Sequence, residues 1–238
     1  MQSGHDHAMT RIMALLAAAL LTAPAAAAER SYPVTDFDRI QVEGPFEVTL
    51  ATGQSSHVRA SGAANALDRV SIEVVGRTLR IRTNTSAWGS NPGQSPGPVR
   101  IEASTRELSK ASVLGAGSLA IDKARGLRLD LALGGSGRLT VSALDADNLV
   151  VDLLGSGRIM LGGHARQLHA TVKGSGDVIA AGLVADDLQL IAETAGIVTL
   201  GSARSATVLA NGSGDVTIGG TPACTVDNRG AGRVRCGS

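Results

Sequence analysis

The chain reads as an all-β protein: a single-stranded right-handed parallel β-helix of about 18–20 residues per coil, with an irregular β cap over its N-terminal end. Three observations lead there. A Gly-small-Gly tripeptide returns through the C-terminal half with successive separations of 20, 20, 19, 20, 18 and 18 residues. Between copies, apolar residues recur at every second position, the period of a strand with one buried face. Aromatic residues make up only 2%, namely Tyr32, Phe37, Phe46 and Trp88, and all precede the repeats. A narrow aliphatic core is the consequence.

The elements follow in chain order. Arg11 precedes the apolar run Ile12 to Leu21 and the tract Ala23-Pro24-Ala25-Ala26-Ala27-Ala28, the pattern of a signal peptide over 1–28 cleaved to leave Glu29. Met9 is an alternative start. The apolar run, about ten residues, is half what a membrane-spanning helix needs, so no integral membrane segment is predicted. No Cys near the cleavage point offers a lipid anchor. Export places the protein in the periplasm, outside the cell or at the surface of a bacterium.

Residues 29–113 are strand-rich but irregular, with predicted strands at Phe37–Val42, Phe46–Leu50, His57–Ala60, Val70–Val75, Leu79–Thr83 and Val99–Ala103. They are expected to build the first coils and the cap that a solenoid end requires. Residues 84–98, rich in Gly, Ser and Pro and holding Trp88, form the one conspicuous loop.

Residues 114–238 carry the regular coils, continuous with the first part as one domain. Six of the seven tripeptides keep both glycines: Gly115 and Gly117, Gly135 and Gly137, Gly155 and Gly157, Gly174 and Gly176, Gly212 and Gly214, Gly230 and Gly232. The degenerate copy Thr194-Ala195-Gly196 keeps only Gly196. Glycine is expected at both ends because a sharp corner requires positive φ. After each corner comes an inward pair such as Leu119 and Ile121 or Val178 and Ala180. A second run such as Leu129, Leu131 and Leu133 precedes the next corner, so each repeat is predicted to supply two strands. The second corner, as at Gly162-Gly163-His164-Ala165, varies in length and is expected to be looser, so that a bulky residue should cost more at Gly176 than at Gly163.

Cys224 and Cys236, the only cysteines, share the exported chain, where an even count favours a disulfide. The repeat register points both inward, in the last two coils, and Asn228 in an inward position marks the end of the core. A bridge closing this loop is worth about 3 kcal/mol in the entropic account.

The opening Phe37-Asp38-Arg39-Ile40-Gln41-Val42-Glu43-Gly44-Pro45-Phe46-Glu47-Val48, the middle Gly76-Arg77-Thr78-Leu79-Arg80-Ile81 and the repeated Gly-Ser-Gly-Asp-Val at Gly174 to Val178 and Gly212 to Val216 together resemble the head GIN domain of putative auto-transporter adhesins. The resemblance covers the entire mature chain. It implies a secreted or envelope-associated β-helix and brings no catalytic residues with it. Nothing reads as a membrane-inserting translocator barrel.

Lys and Arg number 22 against 21 Asp and Glu, which leaves no basic footprint for nucleic acid. No cofactor fingerprint or nucleophile elbow is present, and no cofactor or metal is expected. The residue after each tripeptide sets Arg158 beside Asp177 and Asp215 beside Arg233, read as exposed ion pairs. Asp at two of seven copies is too sparse for calcium-binding turns. Asp130 and Asp152 face outward in different columns, and His164 and His169 flank a corner as surface residues. The resulting expectation is a non-catalytic exported β-helix that binds a cell-surface polymer or protein, with Trp88 as its best contact residue. A polysaccharide-active enzyme using a carboxylate pair and a purely structural envelope module are the alternatives. Open coil ends allow weak self-association.

Overall fold

The computed structural model describes residues 28–84 and 97–237. The predicted signal peptide therefore lies outside the described residues except for Ala28, and so does Trp88. The chain folds as a parallel β-solenoid of about 6 turns.

In the regular part, β8 (Lys110–Gly115) leads into β9 (Ser118–Gly135), β10 (Arg138–Gly155), β11 (Arg158–Gly174) and β12 (Asp177–Thr194), each nearly a whole coil. A shorter β13 (Val198–Ala210) follows, then the broken last turns β14 (Val216–Gly219), β15 (Ala223–Asn228) and β16 (Val234–Cys236). Two strands per repeat were expected, but β9 to β12 run unbroken through the second corner. That corner is a bend in an extended chain, and its backbone keeps its ladder partners, with Asp145 opposite His164 and Ala146 opposite Ala165.

Registered stacking puts Leu119, Leu139, Ile159, Val178, Val198 and Val216 in one inward column, each no more than 1% exposed. Leu131, Val151, Ala170, Leu190 and Val208 form a facing column. Burying each leucine or valine is worth about 1.5–3 kcal/mol, so these ladders dominate stability. A further inward set at the second corner was not foreseen. Ala124, Leu144, Ala146, Ala165, Leu183 and Ala185 are all buried there. Length differences are absorbed at the same corner, where the registers slip between Val141 and Leu144, Met160 and Gly162, and Ala180 and Ala185.

The first corner explains the tripeptide, though not quite as predicted. Only the leading glycine takes positive φ, as at Gly155 (φ 121°), and only as far as Gly174. The trailing glycine is required by closeness, because a Cβ on Gly157 would stand 2.6 Å from the carbonyl oxygen of Gly137 in the coil before. From Thr194 onward neither position needs positive φ. The expected ranking of Gly176 over Gly163 is reversed. Gly163 combines φ 124° with a Cβ position driven into the carbonyl of Leu144, whereas Gly176 has only the close approach, 2.5 Å to Gly157 O.

Chain order and stacking order part company in the N-terminal region. There β2 (Arg39–Glu43) pairs in parallel with both β8 and β6 (Thr78–Thr83), while β3 (Glu47–Thr52) pairs with both β9 and β7 (Arg100–Thr105). The coil made first by the chain is thus second in the stack, covered by the later β6 and β7. The cap is antiparallel: β5 (Val70–Val75) on β6, β4 (His57–Gly62) on β7 and β1 (Ala28–Tyr32) on β4. Between β4 and β5, the single turn α1 (Ala64–Leu67) buries Ala66 and Leu67. Reversing direction ends the parallel ladder and gives the outer strands edges that cannot continue the coil.

At the other end Cys224 lies in register with Ala206 and Cys236 with Ile218, the inward columns, yet Cys224 is exposed and Cys236 half-buried because no coil covers them. Their Cα atoms are 6.5 Å apart, at disulfide distance. Asn228 folds over its own corner, Nδ2 donating to Gly232 O at 2.9 Å and Oδ1 accepting from Gly230 N at 3.2 Å.

Valine at Gly163 should destabilise the protein by about 3 kcal/mol or more in urea denaturation, combining backbone strain with overpacking. Alanine at Gly182, where a Cβ would meet nothing closer than 3.8 Å, should stay within about 1 kcal/mol. Replacing both Cys224 and Cys236 with Ser should cost about 3 kcal/mol, and the loss should show first as hydrogen exchange in β15 and β16.

Candidate functional site

Stacking the first corners creates a shallow groove of about 440 Å³, floored by glycine and small residues such as Ala116, Ser136 and Ser156. One wall carries the residue that follows each tripeptide. Register places Glu47, Ser118, Arg138, Arg158 and Asp177 in one column on successive coils. The fold thus converts a 20-residue sequence period into side chains one strand spacing apart, about 4.8 Å.

Charges along this column are unevenly matched. Arg158 donates from Nη2 to Asp177 Oδ2 at 2.7 Å and from Nε at 3.3 Å. At the top, Glu47 is held by Arg100 at 3.1 Å. Arg138, exposed between Ser118 and Arg158, has no carboxylate partner among the described residues. The predicted pair Asp215 and Arg233 forms at 3.6 Å.

Asp177 and Asp215 do more than pair with arginines. Asp177 Oδ1 accepts the backbone N–H of Ile197 at 3.0 Å, and Asp215 Oδ1 accepts that of Arg233 at 3.0 Å. In earlier coils the equivalent N–H donates to a corner carbonyl, as Arg158 N does to Gly137 O. The aspartates supply the acceptor where the corner geometry changes after Gly174. The Ile197 N–H, with Arg158 second, holds the Asp177 carboxyl below the usual carboxylate range.

The other candidates do not converge. Asp130 is taken by Arg128 at 2.9 Å and registers with Val150, while Asp152 registers with Ala132. His164 stands opposite Asp145 and Val184, and His169 opposite Val150 and Gln189, both exposed. Among the described residues, no three of His, Cys, Asp and Glu come together as a metal site. No helix of the described residues is long and apolar enough to cross a membrane. The tripeptide period sets Ser118, Arg138 and Arg158 on successive coils, but which cation lacks a carboxylate shows only once the side-chain contacts are known.

The family model described as "Putative auto-transporter adhesin, head GIN domain" matches residues 36–222, and the chain belongs to that family. No curated protein matches it. Among solved structures, a putative adhesin from Bacteroides fragilis superimposes with a TM-score of 0.80 at 21% identity, over 89% of this chain and 97% of the other. A putative lipid binding protein from Parabacteroides distasonis reaches 0.67 at 22% identity over 89% and 96%. A putative adhesin from Parabacteroides merdae reaches 0.63 at 17% identity, also over 89% and 96%. These likenesses concern the fold.

Asp177→Asn should lower stability by about 1 kcal/mol at neutral pH, the net worth of one partly exposed charge-assisted bond. The folded pKa is lowered, so the contribution is complete above the unfolded value of about 3.9 and is lost as pH falls through the folded value. Denaturation curves of the two proteins should therefore converge in acid.

Proposed function

We propose that this member of the GIN-domain family is an exported, non-catalytic binding module of the bacterial envelope that holds a surface polymer along the first-corner groove. The observation that carries the reading is Arg138, a guanidinium without a carboxylate partner among the described residues, set over a floor of small residues beside the Arg158–Asp177 pair. A guanidinium fork in such a place is suited to a carboxylate or phosphate on an extended chain. The floor gives a polymer close access to backbone, and neighbouring coils repeat the opportunity along the axis. Family membership supports a role at the surface, and a rigid solenoid presents a long face without needing a deep pocket.

Binding is expected to be multivalent and weak per contact, with affinity falling as salt rises. A panel of cell-wall and surface glycans, together with whole cells, tests the reading in saturation binding with soluble products followed in parallel. Saturable binding without release of oligosaccharides is the expected result, about ten-fold weaker for Arg138→Ala on the worth of a charge-assisted hydrogen bond. Trp88→Ala should weaken it as well if residues 84–98 contribute the contact expected from the sequence. Release of oligosaccharides would replace this reading with a polysaccharide-active enzyme. Absence of any binding would leave a structural envelope module.

A further inference from the structure

The second corner of the first regular coil differs from the same corner in the following coils because, among the described residues, no strand forms a ladder on its N-terminal side. Glu47–Leu50 pair with Ser118–Ile121, and Lys110–Gly115 pair with Asp130–Gly135, but among the described residues no strand pairs with 122–129 on that side. The cause is topological. After Thr52 the chain does not turn the second corner but leaves through Gly53 towards β4. On the opposite side the segment is paired normally, with Lys123 opposite Ala143 and Arg125 opposite Asp145. An unpaired strand edge is left along a cleft of about 750 Å³, whose other wall is residues 106–109.

Unpaired edges invite another strand, and proteins usually cover or blunt them. Here the edge is dressed for one kind of partner. The Lys123 ammonium has no carboxylate partner among the described residues and lies over Gly53, 4.0 Å from where a Cβ would stand there. Its backbone is fixed, N–H donating to Asp122 Oδ1 at 2.6 Å and the carbonyl accepting from Thr52 Oγ1 at 2.8 Å. Arg125 and Arg106 are held loosely, 3.8 Å from Asp145 and 3.7 Å from Asp36. Arg128 is occupied by Asp130. Of the two carboxylates in the cleft, Asp38 faces Arg77 at 3.2 Å, and Glu107 is the one that works against an incoming anion. Leu127 stands 77% exposed on the same edge, beside Gly126, which has no side chain to block a backbone.

We propose that this edge takes up an extended acidic segment of another protein as an added strand. The ladder would supply affinity through main-chain hydrogen bonds, and the cations and Leu127 would select alternating acidic and apolar side chains. Beyond the Lys123 N–H and C=O, held by Asp122 and Thr52, and the Leu127 C=O, which accepts from Asn148 Nδ2 at 3.4 Å, an edge without a ladder partner among the described residues fits a peptide backbone beside its exposed leucine better than a sugar, which has neither the ladder spacing nor an apolar residue to cover Leu127. The site is separate from the first-corner groove and stands or falls independently of it.

The test uses the full chain and a fluorescein-labelled peptide, fluoresceinyl-Glu-Val-Glu-Val-Glu-Val-Glu-amide, in anisotropy titrations at low salt, with amide exchange followed over residues 122–129. The expected result is saturable binding that slows exchange at those amides and weakens about ten-fold or more in Lys123→Glu, while Arg204→Ala, at an exposed arginine paired with Asp186 outside both sites, stays within about two-fold. Lys123 is exposed, and melting curves check that the variant folds; Leu127→Ser gives the same test without a charge reversal. Proline at two of the valines should abolish binding. Equal binding by the proline peptide, or full competition by oligogalacturonate with no change in exchange, would overturn strand addition in favour of a general polyanion site. No binding of the acidic peptide would overturn the proposal outright.

Discussion

Contact between the backbones of successive coils at the first corner is the constraint on which the rest of the structure depends. Gly157 lies against the carbonyl of Gly137, and Gly176 against that of Gly157, with no space for a Cβ. Such contact can repeat only if every coil arrives at the corner in the same phase, which is why the tripeptide spacing stays between 18 and 20 residues. Any difference in length must then be taken up elsewhere. It is taken up at the second corner, where the registers slip and alanines fill the narrow inner wall. One corner holds the phase, and the other absorbs the variation.

A stack of this kind has two ends, each with an open ladder and apolar columns facing water. The N-terminal end is closed by threading the first coil between later ones and reversing strand direction above it. This demands long-range closure: Ser112 Oγ reaches the carbonyl of Ile40 across 72 residues of chain, against about one repeat between neighbouring regular coils. Formation of the cap should lag behind the coils for that reason. The C-terminal end is finished locally, by a cysteine pair across the two inward columns and by Asn228 bonded into its own corner. Local closure leaves the last coil more exposed than the cap, as β15, exposed at every residue, shows.

What was legible in the sequence follows from the same mechanics. Pairs such as Leu139 and Val141 announce their direction because a strand alternates strictly and the corner fixes the phase. Ala146 and Ala185 do not, because a bend breaks the alternation and a small residue carries no hydrophobic signal of its own. Gly163 was underrated because variation in corner length looks like tolerance, whereas its φ and the Leu144 carbonyl leave none. The order of the first coils was hidden since β2, β6 and β8 have similar patterns and nothing local says which lies between the other two. Asp177 was half read: its pairing with Arg158 came from the period, its bond to Ile197 N from a change of corner geometry that the period conceals.

The candidate sites show why function is harder to read than fold in such a protein. Outward side chains of a regular coil are uncoupled from the core, so any residue there satisfies the fold and its identity carries little structural meaning. Chemistry becomes informative where the stack is irregular, because an unmatched group there cannot be explained as one step of a ladder. Arg138 belongs to the second regular coil and Lys123 to the first, both next to the point where threading of β2 and β3 interrupts the repeat. There the column neighbours are Ser118 and the departing Gly53 in place of carboxylates, and the pairing of charges seen farther along, as between Arg158 and Asp177, fails. The interruption that closes the core therefore also leaves, among the described residues, cations without carboxylate partners and a strand edge without a ladder partner.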